Sequence, residues 1–241
     1  MRKIIVLVVL LFILSSVTVF ATSIINGLSS SEWNTRGQVF ISNKDYDSAI
    51  ISYDNAIILD PQDAKNYFDR GTAYYEKELF DIAIKDFSTA IVINPQYAEA
   101  YCYRGRAYHE KGWKAKSGYD KAISDFNMAI KDFSTAININ NQYAEAYYYR
   151  GHTYTTTAIG SDKYNTQLLY ERAISDFNNS IRFNPQYQKA YFSKAMYCQN
   201  LNRREEAIDA YLKFLELTPP DNGNYSYAKQ QLVKLGYYRP Q

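Results

Sequence analysis

The chain has 241 residues, 27 basic against 25 acidic side chains, 46% hydrophobic content and 25 tyrosines. That balance offers no basic excess or stripe with which to displace phosphate counterions, so nucleic acid is not the expected partner. Tyrosine at this load suits interfaces where a ring is packed while its hydroxyl stays wet.

Residues 1–21 read as an export signal: Arg2 and Lys3, an unbroken apolar run from Ile4 to Leu14, then Ser15, Ser16 and a small-residue exit at Val19-Phe20-Ala21. Cleavage after Ala21 is expected, with a periplasmic or secreted address. The alternative is an uncleaved inner-membrane anchor, because residues 4–21 are free of charge over a length close to the lower limit for a span. Without Arg2 and Lys3 the chain is formally neutral, 25 basic against 25 acidic. Residues 22–29 read as a short linker.

The rest is repetitive. Ile84 to Gly105, IKDFSTAIVINPQYAEAYCYRG, returns as Ile130 to Gly151, IKDFSTAININNQYAEAYYYRG, and looser copies occupy 50–71 and 174–195. Aligned on Gly37, Gly71, Gly105, Gly151 and Ala195, each copy has an aromatic four residues earlier: Trp33, Tyr67, Tyr101, Tyr147 and Tyr191. Farther on comes an Ala, a ring and a third core residue, as in Ala83-Phe87-Ala90, Ala129-Phe133-Ala136 and Ala173-Phe177-Ser180. Spacings of three, four and seven place these residues on one stripe of each of two helices. Small residues let the helices approach, and Pro61, Pro95, Asn141, Pro185 and Pro219 close the units, proline because it cannot continue a helix.

This pattern resembles the tetratricopeptide repeat, whose 34-residue unit carries W-x2-L-G-x2-Y, then A-x3-F-x2-A and a closing P. The resemblance covers residues 30–221 and implies an all-α fold, a right-handed α-solenoid of five helix hairpins (30–63, 64–97, 98–143, 144–187 and 188–221), with a C-terminal capping helix and tail over 222–241. Arg36, Arg70, Arg104 and Arg150 stand where the family usually has Leu, and no role is assigned to them.

Units three and four exceed the standard length by 12 and 10 residues. In unit three, Ala122-x3-Phe126 and Ala129-x3-Phe133 are successive heptads, so seven residues are expected to lengthen the second helix without rotating its apolar face. The other five are assigned to the turn, Lys111 to Gly118. In unit four the extra ten are assigned to the connection between the helices, near Thr155 to Gln167, with Gly160 and Ser161 as breakers. Apolar residues at Tyr225, Ala228, Leu232 and Leu235 predict the cap. Cys102 and Cys198 fall two repeats apart, so both are expected as free, packed thiols.

No Gly-rich phosphate loop, H-E-x-x-H, C-x-x-C or G-x-S-x-G occurs, so no catalytic residue and no cofactor is assigned. Carboxylates such as Asp86 and Asp132 are placed on solvated helix faces. His109 and His152 fall on the first helices of units three and four, with Glu99, Glu110 and Glu145 on the same helices. A zinc site needs three or four converging ligands, whereas adjacent repeats stand on the order of 10 Å apart, so no metal is assigned.

By resemblance, function resides in the concave groove, where positions 2, 5, 9 and 12 of each first helix meet a bound segment. These positions give Asn34, Gln38, Lys65, Phe68, Thr72, Tyr75, Glu99, Arg106, His109, Tyr148, His152, Lys189, Phe192 and Met196 as the candidate peptide-binding residues, with Ile41, Cys102, Glu145 and Thr155 at the same register. Phe68, Tyr75, Tyr148 and Phe192 are read as rings beyond the needs of local helix packing, available to a partner or, where the superhelix turns tightly, covering one another. The Lys-Asn-Arg clamp of chaperone-tail-binding members is absent. Lys111, Trp113, Lys114 and Lys116 in the unit-three insertion form a second candidate surface. The expected function is a non-enzymatic scaffold for a protein or peptide segment. The alternative is self-assembly into a homo-oligomer through the insertions.

Overall fold

The computed structural model describes residues 27–115, 119–159 and 161–237; the segment read as an export signal, Lys116, Gly160 and the last four residues lie outside them. Among the described residues there are eleven helices and no strand: α1 Ser30–Ser42, α2 Tyr46–Leu59, α3 Ala64–Glu76, α4 Phe80–Ile93, α5 Ala98–Lys114, α6 Tyr119–Ile139, α7 Ala144–Thr157, α8 Lys163–Phe183, α9 Gln188–Asn200, α10 Arg204–Leu217 and α11 Gly223–Lys234. The fold is an all-α solenoid. The chain divides within α5 into two compact units, one up to Ala107 and one from Tyr108.

In the first unit α1 pairs with α2 and α3 with α4, and α3 also packs on α2. The core is the periodic stripe: Ala49, Tyr53 and Ala56, then Ala83, Phe87 and Ala90, are all 0–1% exposed. A Cβ added at Gly71 would stand 2.8 Å from the Phe87 ring, so the hairpin closes only because that position has no side chain. In the second unit α7 pairs with α8 and α9 with α10. Gly151 repeats the same approach against Phe177 at 2.9 Å. The cap is present: Ala228 and Leu232 of α11 bury themselves against Ala195, Ile208, Tyr211 and Phe214.

Helix ends follow a local device that the prolines obscure. After α2, α4, α6 and α8 the residue at the C-cap is Asp60, Asn94, Asn140 or Asn184, and each side chain accepts a hydrogen bond at 3.1 Å from the backbone N–H two residues on. This Asx turn offers the backbone an alternative to helix. It is the same in unit three, where Asn141 replaces proline, so the turn does not depend on the proline.

The insertions are mostly helix. As expected, α6 is 21 residues long against 14 in α4, one heptad more. The turn assignment is corrected for Lys111 to Lys114, which are helical because α5 runs to Lys114, 17 residues against 13 in α3, while 116–118 lie outside the described residues. The physical reason is Gly112, one heptad after Gly105, where a Cβ would stand 3.0 Å from the Phe126 ring. In an antiparallel hairpin a heptad added to the end of one helix meets a heptad added to the start of the other. The loop assignment in unit four is corrected likewise: α8 is also 21 residues long and starts at Lys163, capped by the Asp162 carboxylate. Thr166 and Tyr170 stand one heptad before Ala173 and Phe177, and Tyr170 packs on the Tyr197 ring at 4.9 Å.

Cys102 and Cys198 are free and buried, and burial pushes the Cys198 thiol up to about 11.

Candidate interaction surfaces

The first-helix residues of the first unit are largely occupied with one another. Asn34 of α1 is 6% exposed and donates to Asn66 at 3.0 Å and to Asp69 at 2.8 Å on α3. Its own carbonyl oxygen accepts from Gln38 at 3.1 Å and Lys65 at 3.0 Å, while Lys65 also pairs with Asp69. This network fastens α1 to α3. Thr72 donates to the Phe68 carbonyl, and the Arg106 guanidinium lies 4.9 Å from the Tyr75 ring centre and 4.5 Å from that of Tyr103. Glu99 is exposed.

Of the two readings of the groove aromatics, the structure favours rings partly covered by their neighbours. Phe68 is half-buried against Phe87, Tyr97 and Tyr103, with centroids 5.0–5.8 Å away. Tyr75 meets Phe80 at 5.6 Å. Tyr148 is half-buried among Tyr149, Phe177 and Tyr187, and burial pushes its hydroxyl up to about 12. Phe192 packs on Phe214 at 5.0 Å and on Tyr211 and Tyr227, and Met196 joins the same cluster. Each ring fills the angle between its own hairpin and the next, which the stripe of small residues leaves open. Lys189 is exposed.

The placement of Asp86 and Asp132 on a solvated face is also corrected: they are 5% and 2% exposed, and Asp176 is 3% exposed. Each stands one residue before the core phenylalanine, and Asp86 and Asp176 turn to the arginine preceding the repeat glycine. Arg70 grips Asp86 with two bonds of 2.8 and 2.7 Å, and a third at 2.6 Å reaches Asp54 on the preceding hairpin. Arg150 repeats this with two bonds of 2.8 Å to Asp176 and one of 3.0 Å to Ser134. Arg104 reaches back to Ser88 at 3.0 Å. Arg70, Arg104 and Arg150 each lie 5.6–5.7 Å from the tyrosine ring three residues earlier. The role missing from the sequence reading is thus structural. Burial opposes the Arg150 charge, but Asp176 more than offsets it and holds the guanidinium pKa up. Burial raises the Asp176 carboxyl, which Arg150 offsets only in part. The signal was the recurring step of 16 residues from Arg70 to Asp86, lengthened by the insertion between Arg150 and Asp176.

The second unit brings the two candidate surfaces together. A cleft of about 250 Å³ is lined by His109, Glu110 and Trp113 of α5, His152, Thr155 and Thr156 of α7, Ile159 beyond α7, and Tyr197 of α9. The histidine rings, expected on separate helices a full repeat spacing apart, stand with centroids 5.1 Å apart. His109 is 6% exposed and packs on Phe126 at 5.3 Å. Thr153 gives its hydroxyl hydrogen to the Tyr149 carbonyl at 2.7 Å, so the 3.0 Å contact with His109 requires Nδ1–H of the imidazole to donate, leaving Nε2 as the acceptor. Burial, and then the charge of His152, hold the His109 pKa down at about 3; burial also lowers that of His152. Both rings are neutral at pH 7.

Trp113 and Ile159 stand at the cleft 61% and 58% exposed. Lys111 is half-buried and Lys114 exposed, and neither lines the cleft. Among the described residues no group of three or more His, Cys, Asp or Glu side chains gathers to hold a metal ion, and no helix is long and apolar enough to cross a membrane.

Helix hairpins closed on a glycine and stacked through a stripe of small residues and rings define an α-solenoid repeat protein. The TPR repeat profile matches residues 37–78 and 71–112, and the tetratricopeptide repeat profile matches residues 188–221. Over these residues the chain carries tetratricopeptide repeats. No curated protein gives a significant match. Among solved structures it is similar to a thermophilic TPR protein of Thermus thermophilus, with TM-score 0.66 and 18% identity over 85% of this chain and 100% of that one. It is also similar to MamA, with TM-score 0.59 and 24% identity over 82% and 96%. YrrB, a TPR protein with an unusual peptide-binding site, gives TM-score 0.56 and 19% identity over 82% and 90%.

Proposed function

We propose that the chain is a non-enzymatic scaffold that binds a segment of another protein across the first helices of its second unit. The observation that carries this reading is the cleft between α5, α7 and α9, with Trp113 and Ile159 exposed at it. Exposed rings beside a partly desolvated pocket are the usual anchors of protein association. The fold supports the reading, since tetratricopeptide repeats generally serve protein interaction and the similar YrrB has a peptide-binding site. Export belongs to the same proposal and is supported by residues 2–21; N-terminal sequencing of the chain from its host should begin at Thr22.

The test compares photo-crosslinkers placed at Trp113 and at Val92, which is 79% exposed on α4. Position 113 should capture a specific protein from envelope extracts and position 92 should not. Equal capture from both would remove the cleft from the binding surface. Self-assembly is the second reading, favoured by the further exposure of Tyr164 at 78% and Leu168 at 40% on the lengthened α8. Light scattering that finds a strict monomer excludes it.

A further inference from the structure

The cleft in the second unit is selective in hydrogen-bond polarity. Thr155 and Thr156 both spend their hydroxyl hydrogens on the His152 carbonyl, at 2.7 and 3.0 Å. Tyr197 bonds the Thr155 hydroxyl. His109 has given its N–H to Thr153. What the two threonines and His109 retain are lone pairs, and Glu110 adds a half-buried carboxylate that forms no hydrogen bond or ion pair with any described residue. The N–H donors that remain are the indole N–H of Trp113 and one ring N–H of His152. The walls are the rings of Trp113, His152 and Tyr197 and the side chain of Ile159.

A partly desolvated carboxylate among acceptors and ring faces complements a cation carried on an apolar stem. The volume, about 250 Å³, is below the range of pockets that enclose a drug-sized ligand and suits one long side chain. We infer that the cleft receives a single basic side chain, arginine or lysine, from the partner protein, with Glu110 as its counter-ion and Trp113 against its stem. This rests on the scaffold reading and adds the chemistry of the residue that the partner inserts.

Acetylated hexa-arginine and hexaglutamate, titrated separately into the purified chain, test it through tryptophan fluorescence. Trp113 is exposed and the other tryptophan, Trp33, is buried at 7%, so Trp113→Phe identifies the responding ring. Hexa-arginine should give a saturable change, weakened about tenfold by Glu110→Gln, and hexaglutamate none. Equal binding of hexaglutamate, indifference to Glu110→Gln, or a signal that light scattering traces to pairing of two copies would each overturn the inference. The two readings fail separately. A missing hexa-arginine response with crosslinking at position 113 intact removes the basic side chain alone, whereas loss of that crosslinking removes the scaffold.

Discussion

Acidification should weaken the second unit through His109, by an amount that can be worked out. The unfolded imidazole titrates near 6.5, whereas burial and the neighbouring His152 hold the folded one at about 3. The folded state therefore binds fewer protons. The stability contributed by this depressed pKa is fully present above pH 6.5 and is lost as the pH falls from there toward 3. At pH 5 the unfolded ring lies about 1.5 pH units below its pKa while the folded ring is still neutral, so the loss relative to pH 7 is about 2 kcal/mol. His152 acts in the same direction. Asp176 acts in the opposite one, because its raised carboxyl takes up a proton more readily when folded. Urea midpoints followed by circular dichroism at pH 7 and pH 5 should show the chain losing about 2 kcal/mol more than a His109→Gln variant, which cannot ionise. The Hε1 resonance of His109 should not titrate between about pH 7.5 and 4.5. A midpoint near 6.5, or equal losses in the two proteins, would refute the neutral buried ring.

Three further substitutions bear on the frame. Arg150→Leu leaves Asp176 buried without its cation and should cost about 3–5 kcal/mol, whereas Arg150→Leu with Asp176→Leu should recover most of it, measured by chemical denaturation. Lys44 adopts a left-handed backbone at φ 59°, which glycine adopts without strain, so Lys44→Gly should raise stability by about 0.5–1 kcal/mol in the same assay. Phe68, Tyr148 and Phe192 changed together to Ala should melt helical signal rather than only weaken binding, since each ring packs in its own unit and its loss costs about 1.5–3 kcal/mol; unchanged helicity would return them to the free surface.

The hairpin architecture was legible because one glycine, one ring and two alanines recur at helical spacings in almost every copy, and a pattern of that kind has a single packing solution. What misled at finer scale were residues with two physical uses. Asp86 looks like solvated polarity when its own helix is read alone, and becomes a buried anion only when Arg70, 16 residues earlier, is laid across it. Phe68 and Tyr148 satisfy the groove register, yet the same register also points toward the seam with the next hairpin. Sequence spacing fixes the face of a helix and leaves open how far the neighbour overlaps it.

The insertions show how the same ambiguity produces a candidate site. Thr166 and Tyr170 carry the heptad that lengthens α8, but threonine and tyrosine are weaker signals than Ala122 and Phe126, so the segment reads as loop. Gly112 falls in the segment assigned to a turn, although it sits within α5 where the added heptad of α6 crosses it. Because α5 extends by helix, His109, Glu110 and Trp113 stand on one rigid element at spacings of one and three residues, and the cleft they line with α7 is framed by helix rather than by a loose turn. Preorganisation of that kind lowers the ordering cost of binding. Replacing residues 115–118 with a longer flexible connection should therefore leave hexa-arginine affinity nearly unchanged. Gly112→Val, which drives α5 away from Phe126, should abolish it even where the circular dichroism of the chain is retained.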